Sequence, residues 1–335
     1  MPLVVVLLAC GLVAAVLVSL AAGAVHVPLW ALVEALLGRH PLSAMEHTIV
    51  FEIRLPRVLA AAIIGAALSC AGLLFQGLFR NPMADPYVIG SSGGAMVGAC
   101  IGILFFSQMV YFGFSATALL AFVGSVLTMM LVYSLARGAG GTNVVALLLA
   151  GFAVSTMMAN SVYFFEMIDP DPARGSAVLQ SWMRGVVGTP EWSALAVTSV
   201  LLGVAVLVAF PLMRRLNTLA LGDEYAQQLG VRVERTRVAI ILVGSLLTAV
   251  AVSLGGLIGF AGLIVPHGAR MVLGPDHVKL LPVTVLAGAI FLVIADTMAR
   301  TVFAPKEMPV GVLMVFVGGP FFLYLLRKSK REYGL

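Results

Sequence analysis

The feature that most constrains this chain is a series of long segments that contain no Asp, Glu, Lys or Arg. A helix needs about 20 apolar residues to cross a hydrocarbon core of roughly 30 Å, and most of these segments reach that length. They are residues 1–25, 58–79, 86–136, 138–165, 192–213, 238–269, 280–295 and 308–326. Because the runs are unbroken and do not alternate with polar residues as membrane strands do, the sequence predicts an all-α integral membrane protein.

The composition agrees with lipid as the solvent. Hydrophobic residues make up 61% of the chain and charged residues only 10%, against roughly 25% charged residues in ordinary soluble domains. All three cysteines, Cys10, Cys70 and Cys100, fall inside predicted helices, where small buried side chains are the expected role. We expect no metal site in this chain and no nucleic-acid partner.

Two segments are too long or too irregular for one crossing. Residues 86–136 would extend about 77 Å as a single helix at 1.5 Å per residue, and Gly113 offers a break. Residues 238–269 contain four glycines between residues 255 and 262, followed by Pro266, so the chain is predicted to double back there. About ten transmembrane helices result, in a single domain that spans residues 1–335. They are predicted at about 3–25, 56–79, 87–107, 114–136, 142–166, 191–213, 236–258, 260–273, 279–301 and 308–327.

The distribution of basic residues gives a topology. With ten helices and a cytoplasmic C-terminus, 13 of the 20 Lys and Arg residues fall on the cytoplasmic side, whereas nine helices would leave 11 there. Since cytoplasmic loops are enriched in Lys and Arg, the sequence favours ten crossings with both termini in the cytoplasm. A weak repeat, in which Gly72 and Pro82 match Gly256 and Pro266, is then inverted, as is common in transporters.

The longest basic segment, residues 214–237, contains a polar stretch that is compatible with a helix at 220–231. Leu221, Tyr225 and Leu229 recur in this stretch at i, i+4 and i+8 and give the helix one apolar face. The segment is either a solvated loop with basic anchors or a docking helix for a cytoplasmic partner.

Seven motifs follow one another along the chain. They read RLPR, QGLFRNPMADP, GSSG, LGDEYAQQLG, GFAGLIVPH, ADTMAR and MPVG, and begin at Arg54, Gln76, Gly90, Leu221, Gly259, Ala295 and Met308. In this order they resemble the permease family of type II ABC (ATP-binding-cassette) importers for iron-siderophore, haem and cobalamin. The resemblance covers nearly the whole chain, since the motifs extend from residue 54 to residue 311.

The resemblance implies a homodimer with the translocation path on its two-fold axis, two cytoplasmic ABC ATPase subunits and an extracytoplasmic substrate-binding protein. No cofactor is expected in this chain, and ATP and Mg²⁺ would be bound by the partner ATPase. The only Lys that precedes Ser or Thr is Lys328, and Arg327 stands before it where a P-loop requires Gly. We therefore expect a permease of the bacterial or archaeal cytoplasmic (inner) membrane that imports a metal chelate and is not an enzyme.

On the outer side, the resemblance assigns Arg54, Arg57 and Arg300 to docking of the binding protein. A guanidinium group suits this role because it can make paired, charge-assisted hydrogen bonds to a carboxylate. The alternative is that these arginines anchor helix ends, or that Arg300 pairs with Asp296 four residues earlier.

On the cytoplasmic side, the resemblance implies a coupling helix that fits a groove on the ATPase, and two gates. The coupling helix comprises Leu221, Gly222, Asp223, Glu224, Tyr225, Ala226, Gln227, Gln228, Leu229 and Gly230. The gates comprise Asn81 and Met83 after the second helix, and Thr142 and Asn143 before the fifth. Turn and helix-cap chemistry is the alternative role for both gate segments.

Two other classes of function are less compatible with the sequence. An ion-gradient-driven secondary transporter would be expected to carry ionisable residues at mid-membrane, and the helix centres here are almost free of them. A membrane-embedded enzyme would require a polar catalytic constellation, and no convincing cluster of His, Asp or Ser occurs. The identity of the chelate does not follow from the sequence.

Overall fold

The computed structural model describes residues 1–23, 25, 27–39, 43–106, 109–111, 113–138, 141–142, 144–168 and 172–333. It is 81% helical, which confirms the predicted all-α class. Within these described ranges, seven helices are long and apolar enough to cross a membrane. They are α1 (Pro2–Ala21), α4 (Leu55–Phe79), α6 (Ala116–Ala136), α7 (Val144–Met167), α9 (Trp192–Leu219), α11 (Val233–Gly255) and α13 (His277–Thr301).

Three further apolar helices complete the bundle in the described part of the chain. They are α5 (Ser91–Phe106), α12 (Ala261–Leu273) and α14 (Val310–Tyr333). Together with the seven long helices they make ten, in agreement with the sequence. The break between α11 and α12 lies where the glycines predicted it, because Gly256 caps α11 at φ 65°, a conformation that disfavours other residues.

Helix α4 occupies the centre of the bundle and packs against α9, α11, α12 and α13. Its glycines set the approach of these neighbours. A Cβ atom on Gly72 would lie 1.8 Å from the carbonyl oxygen of Gly262 on α12, and one on Gly65 would lie 2.1 Å from that of Gly288 on α13. Small residues of this kind allow helix backbones in a membrane to meet closely.

Several short elements lie outside the ten predicted helices. They are α2 (Leu29–Leu36), α3 (Ala44–His47), a π-helical turn (Thr48–Arg54) that leads into α4, α8 (Pro172–Met183) and α10 (Asp223–Gln228). Two antiparallel ribbons also occur, β1 (Val110–Tyr111) with β2 (Phe114–Ser115), and β3 (Arg137–Gly138) with β4 (Gly141–Thr142). Apart from α10, which the spacing of its apolar residues predicted, these elements are too short for hydropathy alone to reveal them.

The connection from α4 to α5 packs against the break between α11 and α12. The Asp85 carboxylate accepts a hydrogen bond from the N–H of Tyr87 at 2.9 Å, and the Tyr87 hydroxyl accepts one from the N–H of Ile258 at 3.3 Å. Burial raises the pKa of Asp85 to about 6, although hydrogen bonds from the N–H groups of Tyr87 and Phe260 act in the opposite direction. Asp85 and Tyr87 therefore join two loops, and the contact from Tyr87 to Ile258 bridges 171 residues of sequence.

Candidate functional site

The structure brings Arg54, Arg57 and Arg300 together at one end of the bundle, where α4 begins and α13 ends. We call this end the arginine end. All three guanidinium groups are already engaged within the chain. Arg54, which is 6% exposed, donates to the carbonyl oxygen of Leu20 at 2.7 Å and to that of Ala21 at 3.3 Å. It thereby caps the C-terminal carbonyls of α1, an end that favours a positive charge.

Asp296 lies between the other two arginines and is 1% exposed. Its carboxylate accepts from Arg57 at 3.1 Å and from Arg300 at 2.9 Å. Arg300 also donates to the Ser19 hydroxyl at 2.8 Å. The i, i+4 pairing of Asp296 with Arg300, which the sequence left as an alternative, is present in the structure.

Arg57 connects this buried network to the surface. Its Nη1 donates to Glu307 at 2.7 Å, whereas Nε and Nη2 donate to Asp296, and the side chain of Glu307 is 53% exposed. Arg57 thus contacts one acid that is enclosed and one that faces outward. An external carboxylate that approaches Arg57 would meet Glu307 first.

The opposite end of the bundle carries α10, and we call it the α10 end. This helix begins after Gly222 (φ 121°) and is followed by Gly230 (φ 81°), so glycines set both of its turns. Ala226 is fully buried and faces the bundle. The helix covers six of the residues predicted at 220–231.

The apolar row predicted on α10 points away from the bundle. Leu221, Tyr225 and Leu229 are 64%, 64% and 66% exposed. Tyr225 lies on α10, Leu229 caps its end, and Leu221 precedes the turn at Gly222. Three large, exposed apolar side chains this close in sequence are of the kind that marks a protein-interaction site. We call this set the α10 stripe.

Asp223, at the start of α10, ties the helix to two membrane spans. Its two oxygens accept from Arg80 at the end of α4, at 2.7 Å, and from Arg237 in α11. Arg80 has a left-handed backbone (φ 50°) that ends α4. Asp223 therefore connects α10 to the central helix through an ion pair between residues that lie far apart in the sequence.

A second connection at the α10 end joins α9 to α13. The Asn217 amide donates to Asp276 at 2.7 Å, and its oxygen accepts from the N–H of His277 at 2.9 Å. This donation by Asn217 lowers the pKa of the Asp276 carboxyl below its usual range. The His277 ring packs against Gly77, where a Cβ atom would lie 2.7 Å from Nε2.

The predicted gate residues are described only in part. Asn81 lies in the turn after α4, and its side chain accepts from the N–H of Met83 at 2.9 Å, which is the turn chemistry that the sequence offered as an alternative. Thr142 lies in β4, opposite Arg137, and Asn143 lies outside the described residues. The two gate segments remain predictions.

Known proteins with similar sequences identify the family of this chain. The chain matches the FecCD transport family over residues 11–328. It is 41% identical to the hemin transport system permease protein HmuU of Yersinia pestis, with 86% of each chain covered. It is 43% identical to the cobalamin import system permease protein BtuC of Halobacterium salinarum, over 84% of this chain and 74% of that protein.

A solved structure gives the same result. An inward-facing metal-chelate type ABC transporter superposes with a TM-score of 0.81 at 30% sequence identity, and 98% of this chain and 99% of that one are covered. The similarity therefore extends over the whole bundle, including both ends described above.

Proposed function

The chain belongs to the FecCD transport family, a family of multi-pass transport permeases, and on that premise we propose that it imports a metal chelate through the inner membrane. Energy would come from ATP and Mg²⁺ bound by two partner ATPase subunits, and cargo from an extracytoplasmic binding protein. The α10 end would face the cytoplasm, together with both termini. The observation that supports this proposal best is the exposed α10 stripe.

The α10 stripe has the properties of a docking surface for an ATPase groove. Its side chains are apolar and exposed, while Ala226 and the ion pairs of Asp223 fix the helix from beneath. A helix that is held on one side and apolar on the other can transmit force from a partner to α4 and α11. In this proposal, closure of the ATPase dimer moves α10 and thereby the bundle.

Substitution in the stripe tests the coupling role. Tyr225→Ser is expected to weaken binding of the ATPase about tenfold or more, since an aromatic anchor at the centre of an interface contributes more than about 1.4 kcal/mol. Tyr111→Ser, the same change at an exposed tyrosine of β1 outside α10, is the matched control. Binding of the purified ATPase to the permease in detergent is measured, and equal affinities for both variants would exclude the stripe as the docking surface.

At the arginine end we propose that Arg57 receives a carboxylate of the binding protein in place of Glu307. Glu307→Gln removes this internal competitor, so the affinity for the binding protein is expected to rise up to about fivefold, which corresponds to an exposed ion pair of about 1 kcal/mol. Glu191→Gln, an exposed acid at the same end, is the control. An unchanged affinity in Glu307→Gln would favour the anchoring role of the arginines.

The proposed homodimer places its two-fold axis beside α7 and α14. Large apolar side chains project from both helices, among them Phe152 and Met157 on α7 and Phe316 on α14. A second copy would cover these faces and enclose a path between them. Cross-linking of Cys pairs introduced at position 157, in a background without the three native cysteines, tests this arrangement, and a lipid-exposed position 157 would contradict it.

The cargo is proposed as a metal chelate because the relatives named above are permeases for hemin and cobalamin. A third relative, the iron(3+)-hydroxamate import system permease protein FhuG of Bacillus subtilis, is 34% identical over 86% of each chain. Proteoliposomes that contain the permease, its ATPase and its binding protein are tested with hemin, cobalamin and a ferric hydroxamate. Uptake of one of them should require ATP. Uptake by the permease alone under a proton or sodium gradient would refute the proposal.

A further inference from the structure

Three arginines surround a cavity of about 350 Å³ beside α10. They are Arg215 near the end of α9, and Arg232 and Arg235 at the start of α11, with Gly230 and Val231 between them. All three arginines are exposed, and the ion pairs found in the described part of the chain involve none of them. Such a concentration of positive charge attracts an anion.

Of the three acids nearest in sequence to these arginines, Glu234 and Asp223 are engaged elsewhere, while Glu224 is exposed on α10 and takes no part in the ion pairs of the described residues. Glu234 accepts a hydrogen bond from the Tyr133 hydroxyl of α6 at 3.0 Å. Asp223 is shared between Arg80 and Arg237. The charge of the arginine cavity is therefore available to a ligand from outside the chain.

The position of Arg215 along α9 places the cavity at the level of lipid headgroups. Arg215 follows Trp192 by 23 residues, which is about 35 Å along the helix at 1.5 Å per residue, beyond a hydrocarbon core of roughly 30 Å. It shares a helix face with Val204 and Val208, eleven and seven residues earlier, and both valines are exposed. An exposed apolar face below an arginine is typical of a helix side that contacts lipid.

A second cavity lies on the face of α11 that carries Arg235, further along the helix. It has a volume of about 210 Å³, has almost no polar surface and lies between α6 and α11. Leu242 and Leu246 of α11 line it, and they follow Arg235 by seven and eleven residues, on the same helix face. Phe122 and Met130 contribute the opposite wall from α6. We call this cavity the α6–α11 groove.

From this arrangement we propose that the permease holds an anionic phospholipid. Its phosphate would bind among Arg215, Arg232 and Arg235, and one acyl chain would lie in the α6–α11 groove. Arginine forms paired hydrogen bonds with phosphate oxygens. The groove offers the acyl chain of the lipid an apolar surface that is open to the bilayer. The site lies next to α10, so a bound lipid would brace α9 and α11 where they support the helix. This inference goes beyond the proposed function and requires only that the chain spans the membrane.

Lipid binding to the full-length permease tests the proposal. Native mass spectrometry in detergent measures the affinity for phosphatidylglycerol and for phosphatidylcholine of the same acyl chains. The wild type is expected to prefer phosphatidylglycerol at least about tenfold, the effect of one or two charge-assisted contacts. The variant with Arg215→Gln, Arg232→Gln and Arg235→Gln should lose this preference. Leu242→Trp, which fills the groove, should weaken binding of both lipids without a change in charge.

A matched control separates this site from general surface charge. Arg137→Gln, Arg214→Gln and Arg327→Gln together remove the same charge from exposed positions outside the cavity, and should leave the preference intact. Circular dichroism verifies folding, and the single variant Arg215→Gln replaces the triple variant if the latter does not fold. The proposal is overturned if the cavity variant keeps its preference or if both triple variants lose it equally. It is also overturned if the cavity variant loses only its affinity for the ATPase, because the arginines would then bind acids of a protein partner.

Discussion

Asp296 allows the arginine end to be tested by a single substitution. Its carboxylate is enclosed and accepts from Arg57 and Arg300 at 3.1 and 2.9 Å. Asp296→Asn keeps the size of the side chain but removes the charge that both guanidinium groups face. Removal of one partner from a buried ion pair typically costs about 3–5 kcal/mol, since the remaining charge stays buried without compensation. We expect a loss of about that size, reduced in part because Arg57 retains Glu307 and Arg300 retains Ser19.

Glu307→Gln is the internal comparison for this variant, because it removes the other acid that contacts Arg57. Glu307 is half-exposed, and exposed ion pairs contribute about 0–1 kcal/mol. The free energy of unfolding is measured by denaturant titration in mixed micelles and followed by circular dichroism. We expect Asp296→Asn to cost at least about 2 kcal/mol more than Glu307→Gln.

A double variant identifies the source of the loss. Asp296→Leu with Arg300→Met replaces the buried pair by apolar side chains and should recover part of the stability, since an apolar replacement of a buried pair is often neutral. A coupling energy above about 1 kcal/mol is expected between the two positions. If Asp296→Asn and Glu307→Gln lower the free energy of unfolding by the same small amount, the buried network does not stabilise the bundle.

Three further predictions concern other parts of the bundle. Gly72→Ala should destabilise the permease by about 1–3 kcal/mol, because the new Cβ atom meets the Gly262 carbonyl oxygen. Gly203→Ala, whose Cβ atom meets no atom within 4 Å, should not destabilise it. Thermal unfolding in detergent distinguishes the two variants. The folded-state pKa of Asp85 is raised to about 6, so its contribution to the free energy of unfolding should fall as the pH rises from about 4 to 6. Asp85→Asn keeps an acceptor oxygen and should abolish this pH dependence. An identical pH profile of stability in wild type and variant would contradict the prediction. Asn217→Ala should lower the free energy of unfolding by about 1–3 kcal/mol, because its hydrogen bonds to Asp276 and His277 are lost. The same unfolding assay measures this change. A neutral effect would show that this connection between α9 and α13 does not contribute to stability.

The membrane fold could be predicted from the sequence because lipid imposes a strong local rule. Each crossing must satisfy its own backbone and needs about 20 apolar residues, so the eight uncharged runs give ten helices once the two long runs are divided. The short α12 follows from the same logic, since glycines from Gly255 to Gly262 interrupt an apolar run that is too long for one helix. The exposed face of α10 is equally local, because the spacing of Leu221, Tyr225 and Leu229 defines it before any packing is known.

The contacts between distant segments were decided by the tertiary structure. Asp296 lies four residues from Arg300, so that pair was predictable from helix geometry, but its second partner, Arg57, is 239 residues away and meets it only because α4 packs against α13. Arg80 reaches Asp223 across 143 residues for a similar reason, and Gly72 is closely packed because it faces the backbone of α12. Local periodicity fixes which residues enter the membrane and which face they share, whereas the partner of each face depends on how all ten helices pack together.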